Sequence, residues 1–215
     1  MTGLSRLLAC SALACVPAGL TAAELVVRDL ELSLSALPAG FTYTLTSPTV
    51  EVSGEDAFAS GTELSLGGRW ALARPGDAFG LVLGADLFTD TCTFDSSGYL
   101  VSTGLRATIG LGWAIADDWT LLAEPGIRYG LSALDLPATS SSLAYSASGS
   151  VTGYDARVAI LWQISEGFLV QGHAGWMSLS HEISGDDIDV TLDQSGLYVG
   201  LGVVWRWSTA PPRIE

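Results

Sequence analysis

The chain has 215 residues, of which 48% are hydrophobic and 15% charged, with 25 glycines and a net charge of −14. Charge this sparse, against about 25% in ordinary soluble proteins, leans toward a membrane, and acidity this strong argues against nucleic acid as a partner. No stretch beyond the N-terminus approaches the ~18 apolar residues of a spanning helix, so a closed barrel is the remaining way across a bilayer.

The first segment reads as an export signal. "MTGLSR" carries Arg6, "LLACSALACV" is an apolar core, Pro17 breaks it, and "TAA" (21–23) places small residues at a cleavage site before Glu24. "LLAC" has almost no apolar core before it to serve as a lipobox, and "ALAC" lacks the usual large aliphatic residue. Removing residues 1–23 leaves 8 arginines, no lysine and 23 acids, a net charge of −15, with Cys92 the one remaining cysteine. No internal disulfide is then possible.

"LVVRDLELSLS" (25–35) alternates Leu30, Leu32 and Leu34 on one face and is the best candidate for a first strand. Residues 36–61 follow as a long loop. They contain a second strand-like piece, "FTYTLT", which either continues a hairpin above the membrane or holds the true first strand. Three hairpins come next, each around a short turn signal: 62–73 and 78–89 around "RPGD" (74–77), 99–115 and 118–132 around "ADD" (116–118), 151–164 and 167–183 around "SEG" (165–167). A last run, 194–207, stands alone. Between the hairpins lie longer polar stretches at 90–98, 132–150 and 184–193.

The alternation has one sense throughout. One face carries Leu64, Leu66, Trp70 and Leu72, then Phe79, Leu81, Leu83 and Leu87, then Leu105, Ile109, Leu111 and Trp113. It continues with Trp119, Leu121, Ile127 and Tyr129, then Tyr154, Val158, Ile160 and Trp162, then Phe168, Val170 and Trp176. The other face is small or polar: Glu63, Gly67, Arg69, Gly80, Gly84, Asp86, Gly104, Arg106, Gly110, Gly112, Glu124, Gly126, Arg128, Asp155, Arg157, Gln171, His173 and Arg206. In a barrel the apolar face meets lipid. Trp70, Trp113, Trp119 and Trp162 lie near the short turns, and Trp205 and Trp207 fall at the same end, where indole rings favour the headgroup level.

"GLGVVWRW" (200–207) carries a family likeness. With the strand pattern, it resembles the eight-stranded outer-membrane β-barrels of Gram-negative bacteria, of the OmpA transmembrane-domain and OmpX type. Their C-terminal assembly signal, polar–x–Gly–x–x–aromatic–x–aromatic, is matched by Gly202, Trp205 and Trp207, with Gly200 at the looser polar place. The tail "STAPPRIE" departs from the many members that end at the last aromatic, and is too short for a peptidoglycan-binding domain. The resemblance implies an all-β, antiparallel, up-and-down transmembrane barrel over 24–207 with short periplasmic turns and longer extracellular loops. It implies export to the outer membrane, outer-membrane lipids and lipopolysaccharide as surroundings, the barrel-assembly machinery as a biogenesis partner, and a monomer.

An eight-stranded interior has room only for side chains, and each buried arginine needs a carboxylate. Arg69, Arg106, Arg128, Arg157 and Arg206 with Glu63, Asp86, Glu124 and Asp155 form such a network on paper, with His173 hydrogen-bonded beside Gln171. A structural or interaction role follows. The rivals are a narrow pore, in which the pairs exchange partners, and a lipid A-modifying enzyme. The enzyme reading rests on Ser178, Ser180, His181, Glu182 and Asp186, but adjacent strand residues point to opposite faces, which separates Ser180 from His181. Asp186, Asp187, Asp189 and Asp193 read as a solvated acidic loop without the spacing of a calcium loop. Two histidines and no cysteine pair give no transition-metal set. No cofactor is implied.

Overall fold

A computed structural model describes residues 24–73, 78–95, 98–138, 144–185 and 187–208. The export segment 1–23, the turn 74–77 and the tail from 209 lie outside them, as does Asp186.

The described residues form ten strands: β1 (Glu24–Ala36), β2 (Gly40–Thr46), β3 (Glu51–Ala57), β4 (Ser60–Ala73), β5 (Phe79–Thr93), β6 (Tyr99–Ala116), β7 (Trp119–Leu136), β8 (Tyr145–Ser165), β9 (Phe168–Ser184) and β10 (Asp189–Ser208). All pairings are antiparallel. Eight strands, β1 and β4 to β10, pair in sequence order, and β1 closes the ring on β10 from Val27↔Ser208 to Ala36↔Val199. The ring leaves no free edge where lipid would face it.

The first-strand ambiguity resolves in favour of 24–36. "FTYTLT" is β2, which hairpins with β3 and stands on the upper part of β10, Phe41↔Gln194 to Thr46↔Asp189, where β1 has already ended. β3 pairs with β2 alone, so above the ring proper its outer edge is unpaired.

The strands outrun the sequence-based runs at this hairpin end. Residues 90–93, 132–136, 145–150 and 189–193 are strand rather than loop, and Asp189 and Asp193 accordingly sit on β10. The reason is an exchange of faces along each strand. Near the short turns the outward residues are apolar, as with Tyr154, Val158, Ile160 and Trp162 on β8. Higher up, outward positions turn polar (Ser146, Ser148, Glu182, Asp193), while Leu134, Leu179, Ile183, Val190 and Leu192 turn inward and are buried. A bilayer needs only about 9–11 residues per tilted strand, and β8 has 21. The upper barrel thus stands in water with an ordinary polar-out, apolar-in pattern, and its outer serines and acids mimic loop composition.

Local devices fit this plan. Gly167 takes φ of 74° in the β8–β9 turn, a left-handed conformation suited to glycine. Pro125, facing out of β7, offers no N–H, and the β6–β7 ladder skips the residues between Thr108↔Gly126 and Leu111↔Ala123.

Because β2 and β3 lie outside the closed ring, replacing residues 40–57 by a short glycine–serine link leaves a barrel. Refolded in detergent, the variant keeps its β-type circular dichroism and its heat-dependent shift on SDS gels. Loss of the shift would put the hairpin inside the ring.

Candidate functional site

The lumen is layered. Nearest the short turns is an apolar plug of Val82, Leu122, Ala159, Leu161, Leu169 and Val204. Above it lies a charged layer. Higher still, a larger apolar core built on Phe88, Leu100, Leu134, Val151, Met177 and Leu179 fills the barrel toward the hairpin.

In the charged layer each guanidinium spans two or three carboxylates. Arg69 donates through Nε to Glu124 at 2.8 Å and through Nη1 to Glu31. Arg157 donates through Nη1 to Glu31 at 3.0 Å and through Nη2 to Glu124 at 2.6 Å. Arg106 donates through Nη1 to Asp86 at 3.0 Å and pairs through Nη2 with Asp155 at 2.8 Å. Arg128 bonds Glu63, reaches Asp155 at 3.5 Å and covers the Phe88 ring at 5.2 Å. Tyr198 gives its hydroxyl proton to Asp155 at 2.9 Å. Arg206 forks onto both oxygens of Asp29 at 2.9 Å nearer the turn end, with the guanidinium partly exposed and the carboxylate buried.

His173 links this layer to the wall. Gln171 Nε2 lies 3.2 Å from its Nδ1, and Nε2 meets the Ser35 hydroxyl at 2.9 Å. Gln171 also donates to Glu31 at 3.0 Å. The glycines leave the space: a Cβ on Gly67 meets the Asp86 carboxylate, and one on Gly200 meets the His173 ring and the Leu34 carbonyl.

Sequence reasoning named Glu63, Arg69, Asp86, Arg106, Glu124, Arg128, Asp155, Arg157, His173 and Arg206, and the structure places all of them in the lumen. It missed Glu31, which bridges Arg69 and Arg157, as well as Asp29 and Asp90. Glu31 falls between Leu30 and Leu32, so the same alternation marks it. Among the described residues the buried layer holds four arginines (Arg69, Arg106, Arg128, Arg157) and six carboxylates (Glu31, Glu63, Asp86, Asp90, Glu124, Asp155). Asp90 is the poorest served. Its nearest guanidinium nitrogen is at 3.9 Å, neither of its oxygens accepts a hydrogen bond, and Glu63 is its cross-strand neighbour.

The residues weighed for catalysis separate as strand geometry requires. Ser178, Ser180 and Glu182 face outward, and His181 faces the lumen. His181 Nδ1 meets Ser132 at 2.9 Å and Ser102 at 3.4 Å, and the two hydroxyls are 2.9 Å apart. All three residues are buried to 2% exposure or less, so they form a polar inclusion in the upper core with no access for a substrate.

The mouth, at the hairpin end, holds a cavity of about 450 Å³ between β2, the end of β7, the start of β8 and the start of β10. Its walls include Phe41, Tyr43, Phe94, Leu136, Tyr145 and Ile188, with Asp56 at the rim.

On the outer surface Trp70, Trp113, Trp119 and Trp162 are all exposed, as are Trp205 and Trp207. Trp119 stacks on Trp162 at 5.6 Å and Phe79 on Trp113 at 5.4 Å, so the belt continues from strand to strand near the short turns. Gly202 pairs with Ser33 on β1 and Gln171 on β9.

These features define a class by fold: the chain is a membrane-type β-barrel whose architecture is that of the small outer-membrane proteins. Among solved structures, the outer-membrane protein OprG of Pseudomonas aeruginosa is similar with a TM-score of 0.53 and 13% identity, over 87% of this chain and 99% of its own. The attachment invasion locus protein Ail of Yersinia pestis gives a TM-score of 0.46 at 12% identity, over 86% and 100% of the two chains. Neisserial surface protein A gives 0.42 at 8%, over 83% and 96%. No protein-family model matches the chain, and no curated protein sequence does either.

Two substitutions test the charged layer with opposite signs. Arg157→Met leaves Glu31 and Glu124 to share the single guanidinium of Arg69 and lowers stability by about 2–4 kcal/mol. Asp90→Asn ends the crowding of two carboxyls at the Glu63–Asp90 pair, where Asp90 has no hydrogen-bond donor, and raises stability by about 1 kcal/mol. Urea unfolding of the refolded barrel in lipid vesicles measures both. An Asp90→Asn midpoint below that of the parent would show that the carboxylate is needed.

Proposed function

We propose that this protein is an outer-membrane barrel with a structural or interaction role, a rigid scaffold that displays its acidic hairpin end outside the cell. One observation carries the reading: side chains fill the lumen in three successive buried layers, two apolar and one charged. A conducting path through it has to cross both apolar layers, and in the one nearest the short turns Val82, Leu122, Leu161, Leu169 and Val204 offer an ion no ligand. Exchange of partners among the arginines, the basis of the pore alternative, leaves those two layers in place.

In this reading residues 1–23 serve as the export signal, and Gly202, Trp205 and Trp207 are read by the barrel-assembly machinery. The tryptophan belt then sits at the periplasmic interface. The wall strands leave this layout because every outward residue between the belt and the Tyr129–Tyr154–Trp176 level is apolar or small. Lipopolysaccharide and outer-membrane lipid surround the barrel, which works as a monomer and without catalysis.

Planar bilayers with the refolded barrel in 1 M KCl provide the test. The scaffold reading expects a current at the level of the bare membrane. Stepwise conductance that grows with salt, and that changes when Arg157 is replaced by Met, would establish the narrow pore instead.

A further inference from the structure

We propose that the cavity at the mouth binds a small lipophilic cation, an aryl- or alkylamine whose hydrocarbon part lies among Phe41, Phe94 and Leu136 with its ammonium group at Asp56. The size suits such a molecule, since about 450 Å³ falls within the ~300–1,000 Å³ of small-molecule sites. The walls suit the hydrocarbon part and are already built. Phe41 stacks on Phe58 at 4.4 Å and meets Phe94 edge-on at 5.6 Å. Tyr145 gives its hydroxyl proton to the Ile188 carbonyl at 3.0 Å, which ties β8 to the β9–β10 connection. With that hydroxyl committed, the wall presents mainly rings and aliphatic groups, the surface that attracts organic cations through π faces.

Charge selects among apolar ligands. The nine basic residues of the chain are Arg6, Arg28, Arg69, Arg74, Arg106, Arg128, Arg157, Arg206 and Arg213. None lies among the described residues that build the hairpin end, in 36–61, 90–95, 133–138, 144–150 and 187–193, where eight acids (Glu51, Glu55, Asp56, Asp95, Asp135, Asp187, Asp189 and Asp193) stand outside the buried charged layer. The mouth therefore repels fatty acids, aryl carboxylates and phosphates and concentrates cations. Asp56 places one of these carboxylates on the cavity itself. Its Oδ1 accepts the Ala57 amide at 2.8 Å, and its other oxygen is available to an ammonium group.

The test uses the refolded chain in phosphatidylcholine nanodiscs and calorimetric titration with three probes of one shape: 3-phenylpropylammonium, 3-phenylpropan-1-ol and 3-phenylpropionate. The proposal expects saturable one-to-one binding of the ammonium probe, with the alcohol and the carboxylate weaker by about tenfold or more. Asp56→Asn, an exposed rim position, weakens the ammonium probe by about tenfold and leaves the alcohol unchanged. Leu136→Trp fills the cavity and abolishes binding, and the heat-dependent gel shift shows that both variants fold. Equal binding of all three probes, tighter binding of the carboxylate, or ammonium binding that survives Leu136→Trp would overturn the proposal. A barrel that conducts would bind the amine equally, so failure of the scaffold reading leaves this site standing.

Discussion

Backbone amides and carbonyls inside a bilayer have no water to bond, and every other feature of this molecule follows from meeting that need with strands. The sheet has to close, and with eight strands the closed interior is too narrow for anything but side chains. Lipid takes the apolar residues that a soluble sheet would put in its core. The lumen side of each strand is then left to glycines and to charges that must satisfy one another. Glu31 and Glu124 are each shared by Arg69 and Arg157, and Asp155 by Arg106 and Arg128. Strands far apart in sequence are cross-linked in this way through the middle of the barrel. Glycines such as Gly67 and Gly200 are the counterpart of those long side chains, because a methyl group at either place collides with the network.

The ring and its faces were legible in the sequence because period-two alternation is imposed by two solvents at once, lipid outside and a polar lumen inside. Where only one of the two changes, the reading fails. Above the bilayer the outer face meets water, and Ser146, Ser148, Asp189 and Asp193 look like loop although they lie on strands. The hairpin β2–β3 was visible as strand-like sequence, yet its place depended on where β1 stops. Whether the seam partner of upper β10 is β1 or β2 is decided by the turn after Ala36, which no periodicity reports.

The lumen residues named from alternation all came from strands with a clear apolar face opposite. Asp29 and Glu31 alternate with Leu30, Leu32 and Leu34 and so carry the same signal. The mouth cavity was illegible. Phe41, Tyr43 and Leu45, then Leu134 and Leu136, then Ile188, Val190 and Leu192 alternate in short runs among polar residues, and they converge with Phe94 and Tyr145 only after four separate segments stand side by side. Alternation tells that each run has an apolar face, and not that these faces meet, which depends on chain elements up to about 150 residues away. The buried Ser102–Ser132–His181 set has the same character, with one member on each of three strands.

The unpaired outer edge of β3 gives the molecule two mechanically distinct halves. The lower half is a continuous hoop in which any widening must break main-chain bonds in hydrocarbon. The upper half is a hoop cut on one side, hinged where β2 rests on β10 and stitched near its base by Phe58 to Ala39 and Ala59 to Thr93. None of those ties belongs to the lower hoop, so a change in the hairpin that loosens them leaves every main-chain bond of the span through the membrane in place. The exposed rim of the hairpin carries Glu51, Glu55 and Asp56, whose mutual repulsion also discourages the free edge of β3 from adding a strand of a second molecule.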